Sequence, residues 1–137
     1  MKASLMQDFQ LFLEQYRESW NGLDAAAMSN YASKQLKVRW ANPETVVADW
    51  GTENAEQGWK QAYERYRGRN PKWRFEDVLV EINEQQEGVA VFWVTFEVDG
   101  NPSDAKLLFV EAFRKEKGEW KKIREYVENK FSRTSSG

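Results

Sequence analysis

Neither histidine nor cysteine occurs among the 137 residues, which excludes a Ser-His-Asp triad, a cysteine nucleophile, a histidine proton shuttle and a conventional zinc site. Acid–base chemistry in this chain has to run on Asp, Glu, Lys or Tyr. A carboxyl group does that work near neutral pH only where burial raises its pKa. The carboxylates that strand alternation sets among aromatic residues are therefore the ones to follow. Asp77 alternates with Trp73 and Phe75, and Glu111 with Phe109 and Phe113. Pairing across a turn at Gln85-Gln86 places Val91, Trp93, Thr95 and Glu97 on the same face, and Trp120, Lys122, Arg124 and Tyr126 continue it. Asp77, Thr95, Glu111 and Arg124 then form a polar group on that face. Glu111 beside Arg124 has a second reading as a buried pair that neutralises itself.

Other chemistries lack the residues they need. No Gly-rich loop has dinucleotide or P-loop spacing, so no nucleotide cofactor is expected, and no metal either. Arg65-Tyr-Arg-Gly-Arg-Asn-Pro-Lys-Trp-Arg74 interleaves basic and aromatic residues, as some nucleic-acid surfaces do. With a net charge of -2, the preferred reading is a helix C-terminus whose dipole favours cations, and no nucleic-acid partner is expected. No apolar run approaches the roughly 20 residues that span a bilayer, so no membrane association is expected. The opening residues carry no secretory pattern, and with no cysteine the expected compartment is the cytoplasm.

The elements that must position these groups follow from periodicity. Leu5, Phe9, Phe12, Leu13, Tyr16 and Trp20 recur every three or four residues, which predicts a long amphipathic helix with Ser4 and Gln7 as a capping box. Asn21-Gly22 ends it, and Asp24 caps a shorter helix running to about Ala32. Lys37 to Trp40 and Thr45 to Trp50 flank the turn Ala41-Asn-Pro-Glu44 as a small hairpin. Thr52 caps a third helix, with Ala55, Trp59, Ala62, Tyr63 and Tyr66 on one stripe and its end at Gly68 and Pro71. Four long strands complete the chain, over about Trp73–Asn83, Gly88–Val98, Lys106–Arg114 and Glu119–Val127. Residues 1–131 read as a single domain, and 132–137 as a flexible polar tail.

The order ααββαββββ resembles the nuclear transport factor 2-like superfamily over nearly the whole chain, and within it the SnoaL-like, ketosteroid-isomerase-like bacterial proteins. The likeness is carried by Trp20-Asn-Gly-Leu-Asp24, by Tyr31-Ala32 and by the turn Phe113-Arg-Lys-Glu-Lys-Gly-Glu-Trp120. It implies an α+β fold of the cystatin-like kind: a curved antiparallel sheet wrapped into a cone around the long first helix, often with a homodimer through the outer sheet face. It also implies which face is inside, because the family's interior acid on the fifth strand falls on Phe109. The opposite face, with Val78, Val80, Phe92, Val94, Phe96, Leu108, Val110 and Ile123, becomes the expected dimer surface.

Under that resemblance the pocket is expected between Phe9, Tyr16, Trp40, Trp59, Tyr63, Trp93 and Phe109, with Asp77, Thr95, Glu111 and Arg124 as its polar groups. Aromatic residues at these spacings also serve simply as core. The family's isomerases use a carboxylate base on the first hairpin, with a helix tyrosine and a strand acid as oxyanion hole. Tyr16 matches the tyrosine, but the base falls on Arg39 or Trp40 and the acid on Phe109, so two of the three groups are missing. The leading expectation is a homodimeric, non-catalytic domain that binds a small apolar or aromatic molecule. A second is a lyase, isomerase or hydrolase using Glu111 or Asp77 with Tyr16 and Arg124. A third is a module that acts only by association through its outer sheet.

Overall fold

The computed structural model describes residues 2–41, 48–50, 59–61, 63–103 and 105–131. Helix α1 (Lys2–Asn21) forms on the expected stripe, beginning two residues before the proposed cap at Ser4. Phe9, Phe12, Leu13, Tyr16 and Trp20 are all buried on one side, while Glu14, Gln15 and Glu18 face solvent. The helix ends as the Gly22 amide bonds the Glu18 carbonyl at 2.8 Å and Leu23 turns to φ 58. Helix α2 (Ala25–Asn30) follows, capped by Asp24, whose side chain accepts from the Ala27 amide at 3.0 Å. Residues 59–61 and 63–66 are helical, and Trp59, Tyr63 and Tyr66 pack on the core. Thr52, Ala55, the side chains of Trp40 and Ala62, and the tail 132–137 lie outside the described residues.

The strands are β1 (Ala32–Ala41), β2 (Ala48–Trp50), β3 (Pro71–Ile82), β4 (Gly88–Val98), β5 (Asn101–Pro102), β6 (Ala105–Glu116) and β7 (Glu119–Phe131). They form one sheet in the order β2-β1-β7-β6-β4-β3, with β5 paired to β4. All neighbours are antiparallel except β1 and β7, which run parallel with Lys37 beside Arg124 and Trp40 beside Val127. The sheet curls around α1. Its inner face meets the helix through Phe92, Phe109, Phe113 and Trp120, and burying each phenylalanine contributes about 1.5–3 kcal/mol.

Two bulges decide which side chains point inward. On β3, Asp77 pairs with Phe92 and Leu79 with Val91, so Val78 is an extra residue. The extra residue reverses the faces of β3, which turns Trp73, Phe75 and Asp77 inward before it and Val80 and Ile82 after it, while β4 alternates without a break and presents its even-numbered residues inward. Phe92, Val94 and Phe96 therefore point inward, with Val80 from β3 also packed on the core. The expectation that these four line the outer face is corrected. Val91, Trp93, Thr95 and Glu97 instead share the outer face. On β7, Ala112 pairs with Arg124 and Phe113 with Lys122, which leaves Ile123 as the extra residue. Trp120 and Lys122 keep the expected inner face, but beyond Ile123 it is Glu125 and Val127 that are buried, and Arg124 and Tyr126 turn out. Strand β6 has no such slip: Leu107, Phe109, Glu111 and Phe113 face in, and Leu108 and Val110 face out, as expected.

Candidate functional site

Four polar side chains converge in the aromatic interior. Tyr16 projects from the middle of α1, Glu111 from β6, and Lys122 and Glu125 from either side of the bulge on β7; all four are buried. The Tyr16 hydroxyl donates to Glu111 Oε2 at 3.0 Å. Lys122 Nζ donates to Tyr16 Oη at 3.0 Å, to Glu111 Oε2 at 3.4 Å and to Glu125 Oε2 at 2.7 Å. Phe12, Tyr31 and Phe113 pack around the Tyr16 ring with centroids 5.4–5.8 Å away. Lys122 Nζ also lies 5.5 Å from the Tyr16 ring centre and 5.8 Å from that of Trp59. Trp59 is half-buried.

The charges do not balance if every group ionises, since two carboxylates face one ammonium. Burial raises the Glu111 pKa well above its ordinary value; Lys122 pulls it down, and Glu125 pushes it up again. Glu111 Oε2 already accepts from Tyr16 and Lys122, whereas Oε1 has no donor among the described residues. Burial and the nearby Glu125 together thus favour a neutral Glu111. Burial opposes the Lys122 charge, but Glu125 and Glu111 outweigh it and hold its pKa above the ordinary value. Burial and the two carboxylates keep the Tyr16 phenol protonated, with its pKa well above 10. The resulting unit holds one exchangeable proton next to a phenol donor and a fixed cation. Such an arrangement can orient a polar ligand atom or exchange a proton with it.

Of the residues singled out in the sequence, the structure brings Tyr16 and Glu111 into direct contact and places Phe9, Tyr63, Phe109 and Trp59 in the same core. Trp59 meets the Trp20 ring edge-on at 5.0 Å, and the Tyr63 hydroxyl donates to the Trp20 carbonyl at 2.9 Å. Four others stand apart, and for Trp93, Thr95 and Arg124 the bulges supply the reason. Trp93 lies on the outer face with Lys106 Nζ 4.6 Å over its ring, and Thr95 is opposite Arg74 on that face. Arg124 is 63% exposed and bonds Glu87 rather than Glu111. Asp77 is at the rim, bound by both Arg17 terminal nitrogens at 2.6 and 3.2 Å. Trp40 lies outside the described side chains. Lys122 and Glu125 were not among the candidates. The inward position of Lys122 was legible from alternation; that of Glu125 depends on the extra Ile123, which no turn or glycine signals.

Among the described residues no three acidic groups converge as metal ligands, and no described helix is long and apolar enough to cross a membrane. No protein-family model and no curated protein sequence matches the chain. Solved structures do. Aln2 from a Streptomyces species aligns with a TM-score of 0.75 at 17% identity, covering 93% of this chain and 92% of its own. A domain of unknown function with a cystatin-like fold from Nostoc punctiforme gives 0.72 at 14% identity, over 96% of this chain and 80% of that one. An NTF2-like protein of unknown function from Pseudomonas putida gives 0.72 at 11% identity, over 100% and 94%. With the curled sheet, the long first helix and these alignments in agreement, the chain has the nuclear transport factor 2-like, cystatin-like α+β fold.

Proposed function

We propose that this chain binds a small, largely apolar or aromatic molecule in the cone, with Tyr16, Glu111, Lys122 and Glu125 as the polar end of the site. The observation that carries this reading is the cluster itself. Four ionisable side chains are buried and hydrogen-bonded to one another amid aromatic rings. Packing alone does not call for them, because well-packed apolar residues of similar volume in place of a buried ion pair are often as stable or more so. Trp20, Trp59 and Phe109 already touch ring to ring, so a ligand ring would take the place of the half-buried Trp59 ring, and a ligand oxygen or nitrogen would then meet the Lys122 and Glu125 end.

The test is a thermal-shift screen of aromatic and alicyclic carbonyl compounds, followed by titration of each hit using tryptophan fluorescence. Tyr16→Phe keeps the ring and removes the hydroxyl, and it is expected to weaken a bound hit by roughly tenfold while the variant stays folded. Equal affinity in folded Tyr16→Phe and Trp59→Ala variants would move the site elsewhere.

A proton-transfer enzyme is the second reading, favoured by the raised Glu111 pKa and by its contacts with the Tyr16 hydroxyl and Lys122. In that case Glu111→Gln keeps ligand affinity and loses turnover on any compound that the wild type converts. Unchanged turnover would remove Glu111 from the chemistry. Either reading is accompanied by a homodimer through the outer sheet face, which native mass spectrometry tests directly.

A further inference from the structure

The buried cluster holds one carboxyl group more than its single ammonium can neutralise, and we infer that the ligand of the cone is an organic cation, an aromatic ring on a short arm that ends in an ammonium. The inference rests on the cone site proposed above and names the class of molecule that fills it. Lys122 and Glu125 form a close pair, with Nζ 2.7 Å from Oε2. Glu111 is the odd group. Lys122 Nζ stands 3.4 Å from its Oε2, which the Tyr16 hydroxyl also reaches at 3.0 Å. Its Oε1 is buried and has no donor among the described residues. A buried polar atom left unpaired is costly, and a ligand donor that reaches it is favoured accordingly.

The groups that face Glu111 among the described residues are Tyr16 from α1 and Lys122 and Glu125 from β7, with uncharged Ala90 opposite it on β4. Arg17, next along α1, is committed to Asp77 at the rim, and the Tyr63 phenol to the Trp20 carbonyl. Neutrality can then take two forms. Either Glu111 keeps a proton, or a second cation enters and takes the place of that proton. On its own the cluster takes the first form, because burial favours the neutral carboxyl. Binding is therefore an exchange: the Glu111 proton leaves to solvent, and the ligand ammonium donates to the carboxylate left behind. Two ammonium groups then balance two carboxylates. An anionic ligand would instead set three acids against the one ammonium, which a buried site penalises.

The aromatic surroundings already hold one ammonium. Lys122 Nζ lies 5.5 Å from the Tyr16 ring centre and 5.8 Å from that of Trp59, within the range of cation–π attraction. The same atom relates the ring to the acid, since it is 5.8 Å from the Trp59 ring centre and 3.4 Å from Glu111 Oε2. A ring that takes the place of the Trp59 indole therefore needs only a short alkyl arm to bring its own ammonium to Glu111. The Trp20 ring, edge-on to Trp59 at 5.0 Å, would pack on the ligand ring as it does on the indole. An arylethylamine has this form. Tryptamine has it most closely, because it sets an indole where an indole stands.

Isothermal titration calorimetry of the full chain with tryptamine and phenethylamine, against their neutral alcohols tryptophol and phenethyl alcohol, tests this class. Each amine is expected to bind at least about tenfold more tightly than its alcohol at about pH 7. Titrations in phosphate and in Tris, whose heats of ionisation differ, are expected to show about one proton released per amine bound and none per alcohol. Amine affinity is then expected to rise about tenfold per pH unit wherever Glu111 is neutral in the free chain. Glu111→Gln, checked by its cooperative urea unfolding, is expected to lose both the preference and the proton release; the wild-type heats decide the matter even if that variant does not fold. Alcohols that bind as tightly as amines, or amines that bind with no proton released, would overturn the cation and leave the cone site standing. So would binding of the carbonyl compounds alone. Amines that bind Glu111→Gln unchanged sit elsewhere on the protein and also overturn it. If amines, alcohols and carbonyl compounds all fail to bind, the cone reading fails and this inference with it.

Discussion

At the scale of single residues the decisive group is Lys122, the one cation among two buried carboxylates and a phenol. Lys122→Met is expected to cost about 3–5 kcal/mol in urea unfolding, because it strands Glu111 and Glu125 without a partner. The same unfolding measured against pH isolates Glu111. Its pKa is raised in the fold, so its contribution is complete below the ordinary value near 4.5 and is lost as pH climbs through the folded value. Lys122, raised as well, stays charged across that window. Glu111→Gln, which keeps the neutral form at every pH, is therefore expected to flatten the fall in stability as pH rises above the ordinary value near 4.5. Asp8 and Glu116 act with the opposite sign: their pKa values are lowered, chiefly by Lys115 and Arg114, and what they contribute is lost on acidification. Tyr16 and Glu111 were legible as candidates from residue type and alternation. Their contact was not, because it depends on how far α1 sinks into the sheet.

Among the elements, the two bulges are what the sequence does not announce. Periodicity gave α1 and the starts of β3, β4, β6 and β7 to within about two residues, and Asp24 was visible as a cap, but β1 begins at Ala32 rather than Lys37 and β7 runs on to Phe131. A one-residue insertion into a ladder leaves no comparable mark, yet each one reverses half a strand. Trp93, Thr95 and Arg124 were placed inside on that account alone. The bulge at Val78 has a local physical role: it lets Asp77 remain on the inner side and reach Arg17, whose guanidinium lies 4.7 Å from the Phe92 ring and 5.0 Å from that of Phe75. The start of β4 is equally constrained. A Cβ on Gly88 would lie 2.5 Å from the Phe9 ring, so Gly88→Ala is expected to lose about 1–3 kcal/mol by forcing α1 and β4 apart. Phe113→Ala, which empties a site shared by Phe9, Phe12 and Tyr16, is expected to lose about 3–5 kcal/mol. Thermal or urea unfolding of each variant checks both values.

For the molecule as a whole, the resemblance read from the loop after α1 and the final hairpin reached the correct fold, since topology tolerates errors in which face a strand presents. The site does not tolerate them, which is why the cone was legible and half its lining was not. The parallel pairing of β1 with β7 also has a consequence for how the chain acquires its structure. It joins segments about 90 residues apart, as in the contact between Asn30 and Lys121 at a separation of 91. Long-range pairing of this kind slows folding, because the loop must close before its contacts can repay the lost entropy. Strand β7 also brings Lys122, so before it arrives Glu111 has no cation in the core. During synthesis the first six strands would wait as an open, unneutralised half-shell. Nascent chains stalled with Lys121 as the last residue outside the ribosome are accordingly expected to remain protease-sensitive, and those extended past Val127 to become protected together along their whole length.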